Sequence, residues 1–387
     1  MSVSTHRSLI ATAALATLSF AAQATPPPVS FAAPLNYATG ALAPPGWSET
    51  TLVTADFNND GRADVASTDL FAFPQAAPIV QLGLSSGGFQ SPGTRLPSSA
   101  NGAGALAADD FNFDGKVDLI VSTTTALKVY LGNGNGTFTA GASYSVYTGG
   151  QEDIVTLDLN NDGKKDAVAI TRTGIQVLKG NGNGTFTQLA GQTVPGIFPS
   201  GIDKAKFNYD SNPDLLLIDG AGQVIPLLGT GTGSFTQVQG AQGIAGFILG
   251  TGLAADFNHD GIDDAVAMPE FNAGVRNAVV FISNGSGGFV SQTGSYYDGG
   301  LAPVSGEIAD LNLDGHPDII ASDTLGGQLV MLLGNGDGTF VQGGGFAASF
   351  SCQTPVVLDV NLDGKKDLAT VGIASGGVLS VLHNTTP

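Results

Sequence analysis

One nine-residue pattern, D-x-N-x-D-G-x-x-D, constrains this chain more than any other feature, because it returns at nearly even spacing. The seven instances are DFNNDGRAD (56–64), DFNFDGKVD (110–118), DLNNDGKKD (158–166), KFNYDSNPD (206–214), DFNHDGIDD (256–264), DLNLDGHPD (310–318) and DVNLDGKKD (359–367). Their starts lie 54, 48, 48, 50, 54 and 49 residues apart. A second signature trails most of them: LGLSSGGF (82–89), LGNGNGTF (131–138), KGNGNGTF (179–186), LGTGTGSF (228–235), ISNGSGGF (282–289) and LGNGDGTF (333–340). A unit this short cannot bury a core alone, so it must stack on copies of itself.

The residues between these signatures set the fold class. In the third unit DIVTLD precedes the acidic loop, DAVAIT and GIQVLKG follow it, and TFTQLAG comes after the glycine run. Each run has strand length, is rich in branched residues and is bounded by Gly, Asn and Asp. No stretch keeps a helical period. Each unit therefore reads as four antiparallel strands, with the glycine run a hairpin turn between strands three and four. The chain is expected to be all-β, a seven-bladed β-propeller of four-stranded antiparallel blades. A long sandwich or a β-solenoid is the alternative. The blades are expected at about 46–100, 101–150, 151–199, 200–246, 247–301, 302–352, and 353–387 completed by 29–45. The last unit stops at VLSVLHNTTP after its third strand, and VSFAAPLNYATG (29–40) looks like the missing fourth. A blade closed this way leaves no free edge.

The acidic loop has the composition of a site for a hard cation. Positions 1, 3 and 5 offer side-chain oxygens, position 7 its carbonyl, and position 9 a closing carboxylate, while Gly at position 6 permits the sharp turn. The expected ligands are Asp56, Asn58, Asp60, Asp64 and the Arg62 carbonyl in the first loop, then Asp110, Asn112, Asp114, Asp118 and the Lys116 carbonyl. They continue with Asp158, Asn160, Asp162, Asp166 and the Lys164 carbonyl, then Asp256, Asn258, Asp260, Asp264 and the Ile262 carbonyl. The last two sets are Asp310, Asn312, Asp314, Asp318 with the His316 carbonyl, and Asp359, Asn361, Asp363, Asp367 with the Lys365 carbonyl. An all-oxygen shell rich in carboxylate suits Ca²⁺, since Mg²⁺ holds its water shell against a crowded protein cage. About six Ca²⁺ are expected. Positions 1, 5 and 9 of the six loops hold 18 of the chain's 33 acidic residues, so much of its net charge of −19 is ligand charge.

The fourth loop departs from the pattern. It keeps Asn208, Asp210 and Asp214 but has Lys206 at position 1 and Ser211 in place of glycine. An ammonium at contact distance would repel a cation, so this loop is expected to be metal-free. Lys206 is expected to pair with Asp210 and Asp214; the alternative is that it points to solvent.

The leader MSVSTHRSLIATAALATLSFAAQA combines Arg7, an apolar run and a small-residue end, which reads as a signal peptide over 1–24, followed by a Pro-rich linker at 25–28. Export to the periplasm or the extracellular space is the expectation, with no membrane span. Cys352 is the only cysteine, so something other than disulfides must staple the fold. The acidic balance argues against nucleic acid as a partner.

The loops, their spacing and the glycine turns resemble the FG-GAP/VCBS repeat family, which includes the calcium-bearing propeller of integrin α-chains. The resemblance covers about residues 29–387. It implies a seven-bladed propeller with calcium in the loop between strands one and two, and it fails at Lys206. Family members serve as adhesion proteins, lectins or domains attached to enzymes, so the resemblance carries fold and metal further than ligand.

Catalysis is not expected. His259 and His316 lie inside acidic loops, His383 sits near the end, and the paired carboxylates are accounted for by metal. A non-catalytic binding or adhesion scaffold is expected, acting as a monomer on an extracellular protein or glycan; a calcium-dependent lectin is the alternative. The loops after strands one and three share one face. The opposite face carries the variable loops 68–77 and 269–278 and the inter-blade linkers. Candidate ligand residues there are Trp47, Phe71, Phe73, Phe271, Arg276, Tyr296 and Tyr297. Each of these aromatics could instead pack between blades.

Overall fold

The computed structural model describes residues 25–40, 51–68, 77–97, 104–123, 125–146, 153–194, 198–238, 242–243, 249–269, 277–290, 296–300, 303–348, 352–372 and 377–387. These residues are all-β, with seven four-stranded antiparallel blades. Blade two is representative: Leu106–Asp109, Asp118–Thr123, Ala126–Gly132 and Phe138–Ser145 pair in sequence order. Blades three and four each add a short segment, Gln192–Thr193 and Gln242–Gly243, along the third strand. The first strands of blades four and seven begin at Pro199 and Cys352, one residue before the boundaries expected from sequence. The first strands neighbour one another in a closed circle from blade one to blade seven and back, as a propeller requires.

Blade seven takes its outer strand from far away in sequence. Leu35–Ala38 pairs with Val378–Leu382 in the register Leu35↔Val381 to Ala38↔Val378. Flanking bonds extend the seam: the Ala32 amide donates to the His383 carbonyl at 2.8 Å, and the Thr385 amide to the Ser30 carbonyl at 2.8 Å.

The core lies between blades, in seven clusters. Strand two of blade three shows why. In DAVAIT successive side chains point to opposite faces. Ala167 and Ala169 therefore face a cluster shared with blade two, while Val168 and Ile170 face one shared with blade four. The same partition recurs around the ring, ending in a cluster where Val356, Val371 and Val381 of blade seven meet Leu52, Val65 and Phe89 of blade one. Both faces of each blade are buried, so the strands read as nearly continuous apolar runs.

Two aromatics repeat with the blade. The Phe at position 2 of one acidic loop meets, edge to face, the Phe that ends the next blade's glycine turn. Phe57–Phe138, Phe111–Phe186, Phe207–Phe289 and Phe257–Phe340 have ring centroids 5.1–5.6 Å apart. Such pairs add about 0.5–1.5 kcal/mol beyond their buried area. Beside them, the carbonyl at position 2 accepts an amide from the next turn: Gly136 to Phe57, Gly184 to Phe111, Gly287 to Phe207 and Gly338 to Phe257, each at 3.0 Å. Acidic loops and glycine turns thus share one face, as the strand order demands.

Candidate metal centres

Each acidic loop is built by its own side chains capping its own amides. In the six intact loops, Oδ1 of position 1 accepts the position-5 amide at 3.1–3.3 Å, and Oδ2 accepts the position-6 glycine amide at 2.7–2.9 Å. Oδ1 of the position-3 Asn accepts the same position-5 amide at 2.8–3.1 Å. Two side-chain oxygens therefore converge on one atom. Oδ1 of position 5 then accepts the position-7 amide at 2.9–3.0 Å.

The backbone that makes this possible is left-handed at two places. Position 6 is glycine with φ between +77° and +88°. Position 4 also has positive φ, 55–60°, although it is Asn59, Phe113, Asn161, His259, Leu313 or Leu362. Asn tolerates this conformation, but Phe and Leu do not. Holding a bulky residue there costs about 1–2 kcal/mol. Phe113, Leu313 and Leu362 are also more than half exposed, so packing does not explain them. Loop geometry dictates their conformation.

Position 9 has a different task. Asp64, Asp118, Asp166, Asp214, Asp264, Asp318 and Asp367 are all essentially inaccessible to solvent. One oxygen accepts the position-2 amide at 2.8–3.1 Å. The other accepts the amide at the end of strand three, at 2.7–2.9 Å. That second donor is Gly83, Gly132, Gly180, Gly229, Ser283, Gly334 or Asn384. The carboxylate thus pins strand three to the start of the acidic loop. It does so equally in the fourth loop, which lacks position 1. Burial raises Asp64, Asp118, Asp166, Asp214, Asp264 and Asp318, partly offset by the two amide bonds, with nearby loop carboxylates adding to the rise. Asp64 and Asp118 reach about 6, and Asp264 and Asp318 about 7.

Among the described residues, no group of three or more His, Cys, Asp or Glu is gathered as a metal site. The reason is visible in the bonds above, because every loop carboxylate points an oxygen at a backbone amide. The donor set nonetheless fits a hard cation. Each carboxylate oxygen has lone pairs beyond the one an amide occupies, and positions 1 and 3 already converge. Positions 1, 3 and 5 with the position-7 carbonyl would hold Ca²⁺, with position 9 behind them.

The fourth loop lacks both left-handed residues; neither Tyr209 nor Ser211 has positive φ. It retains the Asn208–Asp210 and Asp210–Asn212 caps at 2.8 Å. The Lys206 amide donates to Asp263 Oδ2 at 2.7 Å, and the Asp263 amide donates back to the Lys206 carbonyl at 2.8 Å. The Lys206 side chain is exposed, and no described ion pair joins it to Asp210 or Asp214. The expected pairing therefore gives way to the solvent-facing alternative. Its charge acts instead on Asp263 of the next blade, 57 residues on.

The ligand-face candidates fare unevenly. Trp47, Phe71, Phe73, Phe271 and Arg276 lie outside the described residues, as does the Tyr296 side chain. Tyr297 is an inter-blade strut, not a face residue. Its hydroxyl accepts the Phe340 amide at 3.2 Å, and its ring meets Phe340 edge-on at 5.4 Å. Tyr144 does the same for Phe186, at 2.5 Å and 5.9 Å.

A chain of repeated acidic loops on propeller blades defines a class, and comparison places this one within it. The FG-GAP-like repeat matches residues 110–169, 158–217, 256–321 and 310–370, more than half of the sequence, and the chain belongs to that family. A search of curated proteins returns no match. Among solved structures the chain is similar to an Agrocybe aegerita lectin that specifically recognises non-reducing terminal N-acetylglucosamine. The TM-score is 0.52 at 18% identity, over 88% of this chain and 90% of that one. At that identity the likeness is one of fold.

Proposed function

We propose that this chain is an exported, calcium-stabilised propeller that serves as a non-catalytic binding scaffold for an extracellular protein or glycan. The observation that carries the calcium reading is the contrast between loops. Six repeat the same oxygen circuit and the same left-handed position 4, even at the cost of straining Phe113, Leu313 and Leu362. The one without a position-1 carboxylate keeps only the position-3 and position-5 caps and has no left-handed residue at position 4. Strain held at repeated sites points to function.

Calcium would act here as a staple. A site with a dissociation constant of ~0.1 mM, in ~1 mM calcium, gains about 1.4 kcal/mol. Six such sites give about 8 kcal/mol, comparable to a whole domain's stability of about 5–15 kcal/mol. Histidine chemistry is committed elsewhere: His259 pairs with His316, and His383 Nδ1 lies 3.1 Å from Asp367. That supports a binding role over catalysis.

The likeness to a fungal lectin favours a glycan as the second reading of the ligand. A glycan array run on the protein in calcium and again in chelator tests both. Calcium-dependent binding to one sugar class makes the chain a lectin. A blank array, with a cooperative melt in calcium, leaves a protein ligand and directs the search to loops 68–77 and 269–278.

A further inference from the structure

Two histidines from neighbouring blades meet on the face that carries the acidic loops. His259 occupies position 4 of the fifth loop and His316 position 7 of the sixth. Nε2 of His259 lies 2.8 Å from Nδ1 of His316, with ring centroids 5.0 Å apart and planes inclined at 47°. His259 is exposed and His316 half-buried, so the pair is open to solvent. Two features of the fold hold it. Position 4 reaches across to the next blade wherever it carries an amide: Asn59 Nδ2 to the Gly115 carbonyl, and Asn161 Nδ2 to the Ser211 carbonyl. Gly336 leaves room for the His316 ring, since a Cβ there would collide with it.

We propose that His259 and His316 form a two-imidazole site for a borderline divalent transition metal, Cu²⁺ or Ni²⁺ with Zn²⁺ as the weaker fit, distinct from the oxygen loops. Metal–imidazole bonds of about 2.0–2.1 Å at a right angle place two nitrogens about 2.9 Å apart. The observed 2.8 Å is that adjacent spacing in a square-planar or octahedral ion. A tetrahedral ion needs roughly 3.3–3.4 Å, a small opening of the pair. On binding, the ring that donates across the pair would carry its proton on its other nitrogen, so that both facing nitrogens are free for the ion, and water would complete its shell. Calcium does not compete, because it takes oxygen ligands and leaves imidazole to softer ions. Since the two rings belong to different blades, the bound ion would bridge blades five and six.

The test uses the full chain without a purification tag, saturated with calcium and given one equivalent of Cu²⁺. Electron paramagnetic resonance should show two imidazole nitrogens bound to the copper. His259→Asn, which copies the residue at positions 59 and 161, and His316→Gln should each remove that signature and weaken copper binding at least tenfold. His383→Gln should leave both unchanged. A wild-type spectrum with one nitrogen or none overturns the proposal without any variant. So does a copper affinity unchanged in His259→Asn whose melt in calcium matches wild type.

Discussion

The Asp118 carboxylate and the Gly132 amide meet at 2.7 Å, where this blade's backbone leaves no room for a side chain, although Ser283 and Asn384 make the same bond in blades five and seven. A Cβ on Gly132 would collide with the carbonyl of Val117, the residue before Asp118. The same collision threatens Gly83, Gly180, Gly229 and Gly334 at the matching places in other blades. None of these glycines has positive φ, so close approach is their reason. Gly132→Ala is therefore expected to destabilise by about 3 kcal/mol or more, as overpacking against rigid backbone does. Gly115→Ala is the comparison. It sits in open space with φ +77°, so only conformational strain of about 1 kcal/mol is expected. Urea denaturation of both variants in calcium measures the difference. Equal losses would mean that the carboxylate–glycine contact is not what fixes strand three.

The fourth loop offers a gain of function. Native mass spectrometry should count six calcium ions on the wild type. Restoring position 1 and the glycine together, Lys206→Asp with Ser211→Gly, should raise the count to seven. Asp310→Ala should lower it to five. A wild-type count of seven would show that Lys206 does not exclude the ion.

Acid should act in opposite directions on the two states of the protein. Burial lifts Asp203 to about 7 and Asp153 to about 6, although each accepts two amides, among them those of Ala254 and Ile202 on the next blade's inner strand. Asp64, Asp118, Asp264 and Asp318 are raised for the same reason. A carboxyl whose folded value exceeds its ordinary one stabilises the protonated fold. That contribution is fully present below about pH 4 and is lost as pH rises through 6 to 7. In chelator, the melting temperature should rise between pH 8 and pH 5.5. In calcium it should fall, because protons compete for the loop carboxylates. Calorimetry in both buffers checks the crossing; parallel trends would argue that calcium does not bind these carboxylates.

Much of this architecture is legible in the sequence, and the reasons are local. The four strand-length runs between the acidic and glycine signatures announce the blade, but that the position-2 Phe of four loops meets the next blade's turn Phe is visible only in the fold. Asp and Gly at positions 1 and 6 carry the loop conformation in their own chemistry. What escapes the sequence depends on contacts across blades. Nothing in KFNYDSNPD announces that Lys206 will be held by Asp263, which lies 57 residues on. Tyr297 reads as a face residue because it falls in an inter-blade linker, yet its hydroxyl serves the Phe340 amide of the next blade. Position 9 read as a metal ligand, and its second employment at the end of strand three is visible only in the fold. The glycine opening the second signature is the clue that could have shown it, since it recurs where a hairpin needs no glycine.

Tyr297→Phe separates strut from ligand contact. It keeps the edge-on packing against Phe340 and removes only the hydroxyl that accepts the Phe340 amide. A loss of about 1 kcal/mol is expected. Tyr144→Phe should cost a similar amount, because its hydroxyl serves the Phe186 amide. A stability unchanged by both would show that water replaces the hydroxyls at no cost.

The seam of blade seven should decide whether the ring melts as one unit. Asn384 stands where other blades have a glycine turn, and it makes both of that turn's contacts. Its amide donates to Asp367 Oδ1 at 2.7 Å, and its side-chain Nδ2 donates to the Leu311 carbonyl at 2.9 Å. The segment from Ser30 to Ala38 then lies over it, with Phe31 bridging Asn384. Asn384→Ala keeps the backbone bond and strands the Leu311 carbonyl, for an expected loss of about 1–3 kcal/mol with the melt still cooperative. Removing residues 25–38 should do more. It exposes the third strand of blade seven and uncovers the cluster shared with blade six, to which Val29 and Phe31 contribute. A ring opened at one seam has two terminal blades instead of none, and stacked units lose cooperativity from their ends. The truncated protein should melt in two steps by circular dichroism, the lower one shifting with calcium. A single transition at the wild-type temperature would show that the seam does not hold the ring closed.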